Sequence, residues 1–442
     1  MLRFDRSLSR REFLYLSSMT AAGVVIGCAT NPVTGKQQLM LVSEQQEIDM
    51  DKQHSPHQLS ADYGATQDRS LNRYVDGIGK RMGKTTHRPK MPYSFRVVNA
   101  NYINAYAFPG GTIAATRGIM LELDNEAELA ALLGHELGHV NARHTAEIMS
   151  KQMLTTVVVG GVAVYAGTKS TGLGGLAAQL GMLGSGVLLA SYSRDNERQA
   201  DDLGMSYLVK SNYSPDGMVG LMDMLKGLSK GKHSSVELLF ATHPMSSERY
   251  DTAVSTARKK YGNAKGNPLH RERYLDNTAR LRRIKGAIKS MQKAEAALAK
   301  KQYKDADQLL REALKIAPND YAGLMLMAKS QLAQKKVDRA EQYLTKAKAV
   351  YPEEAQAHFL DGYSKIKKKK YDAAIAQFDR YDNLLPGNIT TAFFKGYAYD
   401  GKGARKQAAD NYTKYLKAVN QGDNAQYAYK RLVQWGYIKP KQ

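Results

Sequence analysis

The spacing of apolar residues changes several times along the chain, and each change predicts a change of element. Over residues 43–86 large apolar side chains recur at intervals of three and four, as at Ile78 and Met82, which predicts helix. A polar stretch at 62–68 divides it in two. After Pro89 and Pro92 the runs become short and β-rich: 93–98, 102–108 and 112–116, parted by Asn-rich and Pro-Gly-Gly turns, predict a small sheet. Asp124 then offers an N-cap to a run carried by Leu129, Leu132, Leu133, Leu137 and Val140, a helix expected to reach Ile148. Residues 153–190 are apolar and glycine-rich, but no uninterrupted run reaches the roughly 18 residues of a membrane span, so buried or hairpin helices are expected. Helical periods resume over 195–210, 216–228 and 246–260, ahead of a basic, polar junction at about 262–283.

Beyond the junction the chain repeats itself. Ala306, Ala340, Ala374 and Ala408 stand 34 residues apart; Pro318, Pro352 and Pro386 keep the same interval, and Leu310, Leu344, Phe378 and Tyr412 follow each alanine by four. This is the tetratricopeptide period, with alanine where two helices touch, a bulky residue filling the gap and proline ending the second helix. Four repeats are expected over 287–422, with Asn420 in the last proline slot, then a capping helix at 427–438 that contains Trp435.

Composition narrows the class. The chain has 442 residues, 43% of them hydrophobic and 24% charged, enough for real cores and too polar for a multi-span membrane protein. A single cysteine excludes an internal disulfide. Of the formal charge of +22, +15 falls in residues 283–442, which suits a solvated basic face or an acidic partner.

The N-terminus reads as an address. Arg10-Arg11 precedes an apolar run from about Leu14 to Ile26, and the stretch from Ser9 to Leu14 resembles a twin-arginine export signal. Val25-Ile26-Gly27-Cys28 resembles a bacterial lipobox, so residues 1–27 are expected to be removed and Cys28 lipidated. Ala29, in place of an aspartate, implies the outer membrane by that resemblance, and export puts cellular nucleic acid out of reach.

The chemistry sits in the helix expected after Asp124. His135-Glu136-Leu137-Gly138-His139 is an H-E-x-x-H motif: residues four apart share a helical face, so both imidazoles can reach one Zn²⁺ while Glu136 can touch the water that the metal acidifies. The extended motif with a third histidine is excluded, because Ala142 and Thr145 stand at its glycine and histidine positions and His144 is one residue short. A carboxylate from a later helix is the other route. Asn196-Glu197-Arg198-Gln199-Ala200-Asp201 supplies Glu197 as ligand, with Asp201 one turn on to accept a hydrogen bond from a ligating imidazole. His54, His57, His87, His233, His270 and His358 lack motif context and read as surface or satisfied residues.

These two motifs, followed by Thr242-His243-Pro244 and Arg249, resemble the zinc metallopeptidase family of the CAAX prenyl proteases, the mitochondrial Oma-type protease and the bacterial HtpX-type protease. Residues 104–111 resemble the family's strand and turn ahead of the metal helix, and His144 resembles a family position to which no role is assigned. The similarity covers about 28–260, and the repeat tail is similar to that of the family's periplasmic β-barrel assembly-enhancing branch. The resemblance implies Arg249 as first candidate for the oxyanion donor and His243 as second, or His243 as a fourth ligand that closes the site and holds the enzyme latent. Asn104, Ala105 and Tyr106, on an edge strand, could bind an extended substrate by adding a strand.

The expectation is therefore a mainly α protein with a small sheet. It comprises a signal at 1–27, a zinc metallopeptidase domain at 28–265, a linker at 266–286 and an all-α repeat solenoid at 287–442. It would act as a zinc endopeptidase of the bacterial envelope, a lipoprotein anchored to the outer membrane from the periplasm. Stalled or unfolded envelope proteins would be its substrates and the outer-membrane assembly machinery a partner of its basic repeats; nucleic acid would not be a partner. The alternative is a non-proteolytic chaperone or scaffold with a structural zinc.

Overall fold

The computed structural model describes residues 28–158, 191–230 and 234–439; residues 1–27, expected as a signal, the glycine-rich stretch 159–190 and His233 lie outside them. The described residues open with a hairpin that the apolar pattern did not announce, β1 (Cys28–Thr30) antiparallel to β2 (Gln37–Leu39). Two helices follow as expected: α1 (Glu44–Ala61), started by a capping box between Ser43 and Gln46, and α2 (Arg69–Gly83), capped by Asp68. Helix α2 buries Leu71, Val75, Ile78 and Met82 along one stripe.

The sheet has three strands, β3 (Ser94–Val98), β4 (Ala105–Ala107) and β5 (Thr112–Thr116). Its order is β3-β5-β4, with β3 parallel and β4 antiparallel to β5, so among the described residues β4 keeps a free edge. The turn before β5 needs its glycines. Gly111 has φ 104°, and a Cβ on Gly110 would lie 2.5 Å from Cβ of Asp51.

One short turn, α3 (Arg117–Met120), leads to α4 (Glu126–Ala142). Its cap is Asn125 rather than Asp124, the Asn125 side chain accepting from the Glu128 amide at 2.9 Å. The helix also stops short of Ile148. Arg143 takes a left-handed conformation, φ 60°, and a separate helix α5 (His144–Val158) begins after it. Tertiary contacts hold that break: the Arg143 guanidinium pairs with Glu47 of α1 and donates to the Val42 carbonyl at 2.7 Å.

Helices α6 (Arg194–Lys210), α7 (Asp216–Ser229), α8 (Glu237–Thr242) and α9 (Ser247–Lys259) complete this part. Helix α4 is buried along its whole length, and its closest neighbour is α6. Small residues let the two backbones touch: a Cβ on Gly138 would lie 2.8 Å from the Ala200 carbonyl oxygen, and one on Gly134 2.9 Å from that of Gly204. That crossing brings His135 and His139 against Glu197.

Residues 266–286, expected as a linker, are corrected to ordered structure that includes α10 (Arg271–Arg283). Tyr274, Thr278 and Leu281 are its buried side, the Tyr274 hydroxyl donates to the Met120 carbonyl at 2.6 Å, and Arg273 pairs with buried Glu126. The basic composition that suggested a linker is the outer face of a helix packed on the first part.

The repeats follow as helix pairs: α11 (Lys285–Ala299) with α12 (Tyr303–Ile316), α13 (Tyr321–Ala333) with α14 (Val337–Val350), α15 (Gln356–Lys367) with α16 (Tyr371–Leu384), and α17 (Ile389–Gly401) with α18 (Arg405–Ala418). Helix α19 (Asp423–Gln434) ends the array, four residues earlier in the chain than expected at each end. Ala306, Ala340, Ala374 and Ala408, and the bulky residues four on from each, are all fully buried. Every pair turns on one left-handed residue, Lys301, Lys335, Lys369 or Gly403, again 34 apart.

The array packs against the first part through buried polar groups. Arg117 donates to Asp320 at 2.6 Å and to Asn101 at 3.0 Å, and Glu354 accepts from the Ser60 and Tyr321 hydroxyls. A Cβ on Gly64 would lie 2.8 Å from the Tyr351 ring. No described helix is long and apolar enough to cross a membrane.

Candidate metal centre

The α4–α6 crossing brings His135 and His139, one turn apart, against Glu197 in the first turn of α6, and the end of α8 adds His243. Among the described residues this is the group arranged to hold a metal: one donor atom from each lies within 4.8 Å of all the others, and all four residues are buried. Nε2 of His135 and Nε2 of His139 are 3.1 Å apart, Nε2 of His139 is 3.3 Å from Glu197 Oε1, and Nδ1 of His243 is 3.0 Å from the same oxygen. Bonds of about 2.0–2.1 Å to a tetrahedral Zn²⁺ would separate donors by about 3.3 Å, so the cluster has the size and the N/O chemistry of a zinc site.

Glu136 lies beside the cluster without joining it. Its Oε1 is 3.9 Å from Nε2 of His243, and its Oε2 is buried with no hydrogen-bond partner among the described residues. Burial pushes its carboxyl above the usual range, against the pull of His243 and His135. Glu197 shows the opposite balance: burial would raise it, but His243, His135 and His139 together hold it well below the carboxylate range. Burial lowers His139, whereas at His243 the carboxylates of Glu197 and Glu136 outweigh burial and raise it.

The surrounding groups set which nitrogen of each imidazole faces the centre. Nδ1 of His135 donates to Asp201 Oδ1 at 2.9 Å, leaving Nε2 free to ligate. Nδ1 of His139 meets Nδ1 of His144 at 2.9 Å, and Nε2 of His144 meets Gln199 Oε1, also at 2.9 Å. Gln199 Oε1 can only accept, so His144 donates from Nε2, accepts at Nδ1, and fixes the proton of His139 on Nδ1. We expect His144→Ala to weaken zinc binding about 10–100-fold in a chelator competition while the fold persists; unchanged affinity would remove His144 from the site.

Arg249, the first oxyanion-donor candidate of the sequence, is turned onto two carboxylates of the site. Its Nε and Nη2 hold both oxygens of Asp201 at 2.7 and 2.8 Å, and its Nη1 lies 2.7 Å from Glu197 Oε2 and donates to the Pro244 carbonyl at 2.9 Å. These contacts engage at most four of the five guanidinium N–H groups and orient the two carboxylates. Tyr192, absent from the sequence reading, stacks on His139 with ring centroids 3.7 Å apart.

Strand β4 packs beside α4. Ala107, Phe108 and Pro109 share a narrow crevice with His139, Val140 and Thr145. The Tyr106 hydroxyl is tied to Asp62 at 2.5 Å, and Asn104 is fully buried with both side-chain amide atoms unpartnered among the described residues. Cys28 begins β1, and residues 1–27 lie outside the described residues.

Residues 69–257 match the family model described as peptidase family M48, and residues 297–360 that of the tetratricopeptide repeat. Metalloprotease YcaL of Escherichia coli K12 is 30% identical over 202 residues, which cover 46% of this chain and 72% of that one. The chain belongs to peptidase family M48. Two other relatives of this M48 chain are the β-barrel assembly-enhancing protease of Yersinia pestis, 31% identical over 216 residues, and metalloprotease LoiP of Escherichia coli K12, 34% identical over 160. The matched part covers 48% of this chain and 43% of the Yersinia pestis protein, and 36% and 60% for LoiP. The M48 match contains His135, Glu136, His139, Glu197, Asp201, His243 and Arg249.

Proposed function

We propose that the chain is a zinc-dependent endopeptidase of the bacterial envelope that cleaves unfolded or stalled proteins, exported and held at the outer membrane through Cys28. The observation that carries the hydrolytic reading is Glu136, a buried carboxylate beside the four-donor cluster and not part of it. A structural zinc site needs no such group.

His135, His139 and Glu197 would hold the metal, which when bound supplies a Lewis acid for the peptide carbonyl and an acidified water. Glu136 takes the proton of the attacking water and delivers it to the leaving amine, a task its place beside the cluster suits. Arg249 and Asp201 hold Glu197 and His135 in place. An extended substrate would add to the free edge of β4, a mode that selects unfolded chains over compact ones. The basic repeats would dock clients or the outer-membrane assembly machinery.

His243 lies within ligand distance of the same centre, and a fourth protein ligand would close the site to water. Treating the purified protein with a chelator should abolish cleavage of unfolded casein, and one equivalent of Zn²⁺ should restore it; chelator-resistant cleavage would contradict the metal reading. His243→Ala should raise basal cleavage, and unchanged cleavage would remove the latch.

A further inference from the structure

The residue that joins the two sides of the metal centre is Tyr192, in the two described residues before the Ser193 cap of α6. Its ring lies on the imidazole of His139, centroids 3.7 Å apart and planes 21° apart. The hydroxyl meets Thr145 Oγ1 of α5 at 3.1 Å, and the backbone N–H donates to the Thr242 carbonyl, also at 3.1 Å. Thr242 directly precedes His243, whose ring is centred 5.3 Å from that of Tyr192. The side chain is buried, and burial raises the phenol well above its usual value, so the hydroxyl keeps its proton.

We propose that Tyr192 is a positioning residue that clasps the centre: it fixes the plane of His139 and pins the loop that carries His243. The inference rests on the metallopeptidase reading. His139 can turn about its Cβ–Cγ bond unless both its edge and its face are held. His144 holds the edge through Nδ1, and Tyr192 covers the face. Withdrawing His243 from the donor cluster means moving Thr242, which breaks the backbone hydrogen bond to Tyr192 and disturbs the ring on His139. The clasp thus makes the fourth position and one of the ligands move together, and Thr145 anchors both to α5.

The test uses the full chain loaded with Zn²⁺ or with Co²⁺, whose visible absorption reports ligand number and geometry. Tyr192→Leu removes the stack and Tyr192→Phe only the hydroxyl; His243→Ala supplies the reference spectrum for a centre without the fourth ligand. We expect Tyr192→Leu to lose zinc to a chelator about 10-fold faster and to shift its Co²⁺ spectrum toward that of His243→Ala, with Tyr192→Phe between it and the native chain. A native spectrum and native zinc-loss rate in Tyr192→Leu would overturn the clasp. Should that variant not fold, Tyr192→Phe and Thr145→Val remove the same contact. Equal, non-additive acceleration supports the clasp, and native rates in both overturn it. The two failures separate cleanly: a native chain that retains no metal sinks the metallopeptidase reading and the clasp with it, whereas a native chain that holds zinc beside indifferent variants sinks the clasp alone.

Discussion

Glu136→Gln should lower kcat for casein cleavage by about 10²–10⁴-fold while leaving one zinc per chain. The isosteric amide keeps the shape of the pocket and removes the base. Glu136 is outside the group of four donors, so metal content should not follow activity down. On a rate scale the loss corresponds to about 3–5 kcal/mol of barrier. Metal analysis beside the kinetic measurement separates the outcomes: activity within a few-fold of native would remove the general base, and loss of zinc together with activity would make Glu136 a ligand.

The second large effect concerns Arg249. Replacing it by Met removes the cation shared by Asp201 and Glu197, both of which it touches within 2.8 Å. Breaking a buried pair by deleting one partner costs about 3–5 kcal/mol, because the remaining charge stays buried without compensation. In a domain of this size that is a fall of roughly 6–20 °C in Tm. The fall should be larger in chelator than with zinc, since the metal offsets part of the charge of Glu197. Arg249→Lys should recover little, because an ammonium cannot span the two oxygens of Asp201 and reach Glu197 as the fork does. A native melting temperature for Arg249→Met in chelator would show that the network carries no stability.

The parts of the site readable in sequence were those set by local spacing. His135 and His139 share a face because they are four apart on one helix, and Glu197 and Asp201 repeat that spacing on α6. The repeats were legible for the same reason, since each contacts its neighbours at a fixed interval. His144 was not. Five residues from His139 on a continuous helix it would lie about 140° round, and the left-handed break at Arg143 turns it back to His139. That break is held by Glu47, 96 residues away, with no glycine to announce it. Tyr192 lies in no motif, and its stacking on His139 exists only once α6 has crossed α4. A signal for that crossing was present in Gly134 and Gly138 opposite Ala200 and Gly204, pairs of small residues spaced by four. Helix α10 hid behind its arginines although Tyr274, Thr278 and Leu281 already kept helical spacing. The contacts of Arg249 with Asp201 and Glu197 were not legible, because spacing does not reveal which way a guanidinium faces.

The most direct test is X-ray absorption at the zinc edge on the purified full chain, with Glu197→Gln as control. The account predicts one zinc per chain with a nitrogen and oxygen shell at about 2.0–2.1 Å, containing two or three imidazoles and altered by the Glu197 substitution. Absence of zinc, or a shell indifferent to Glu197, would contradict it.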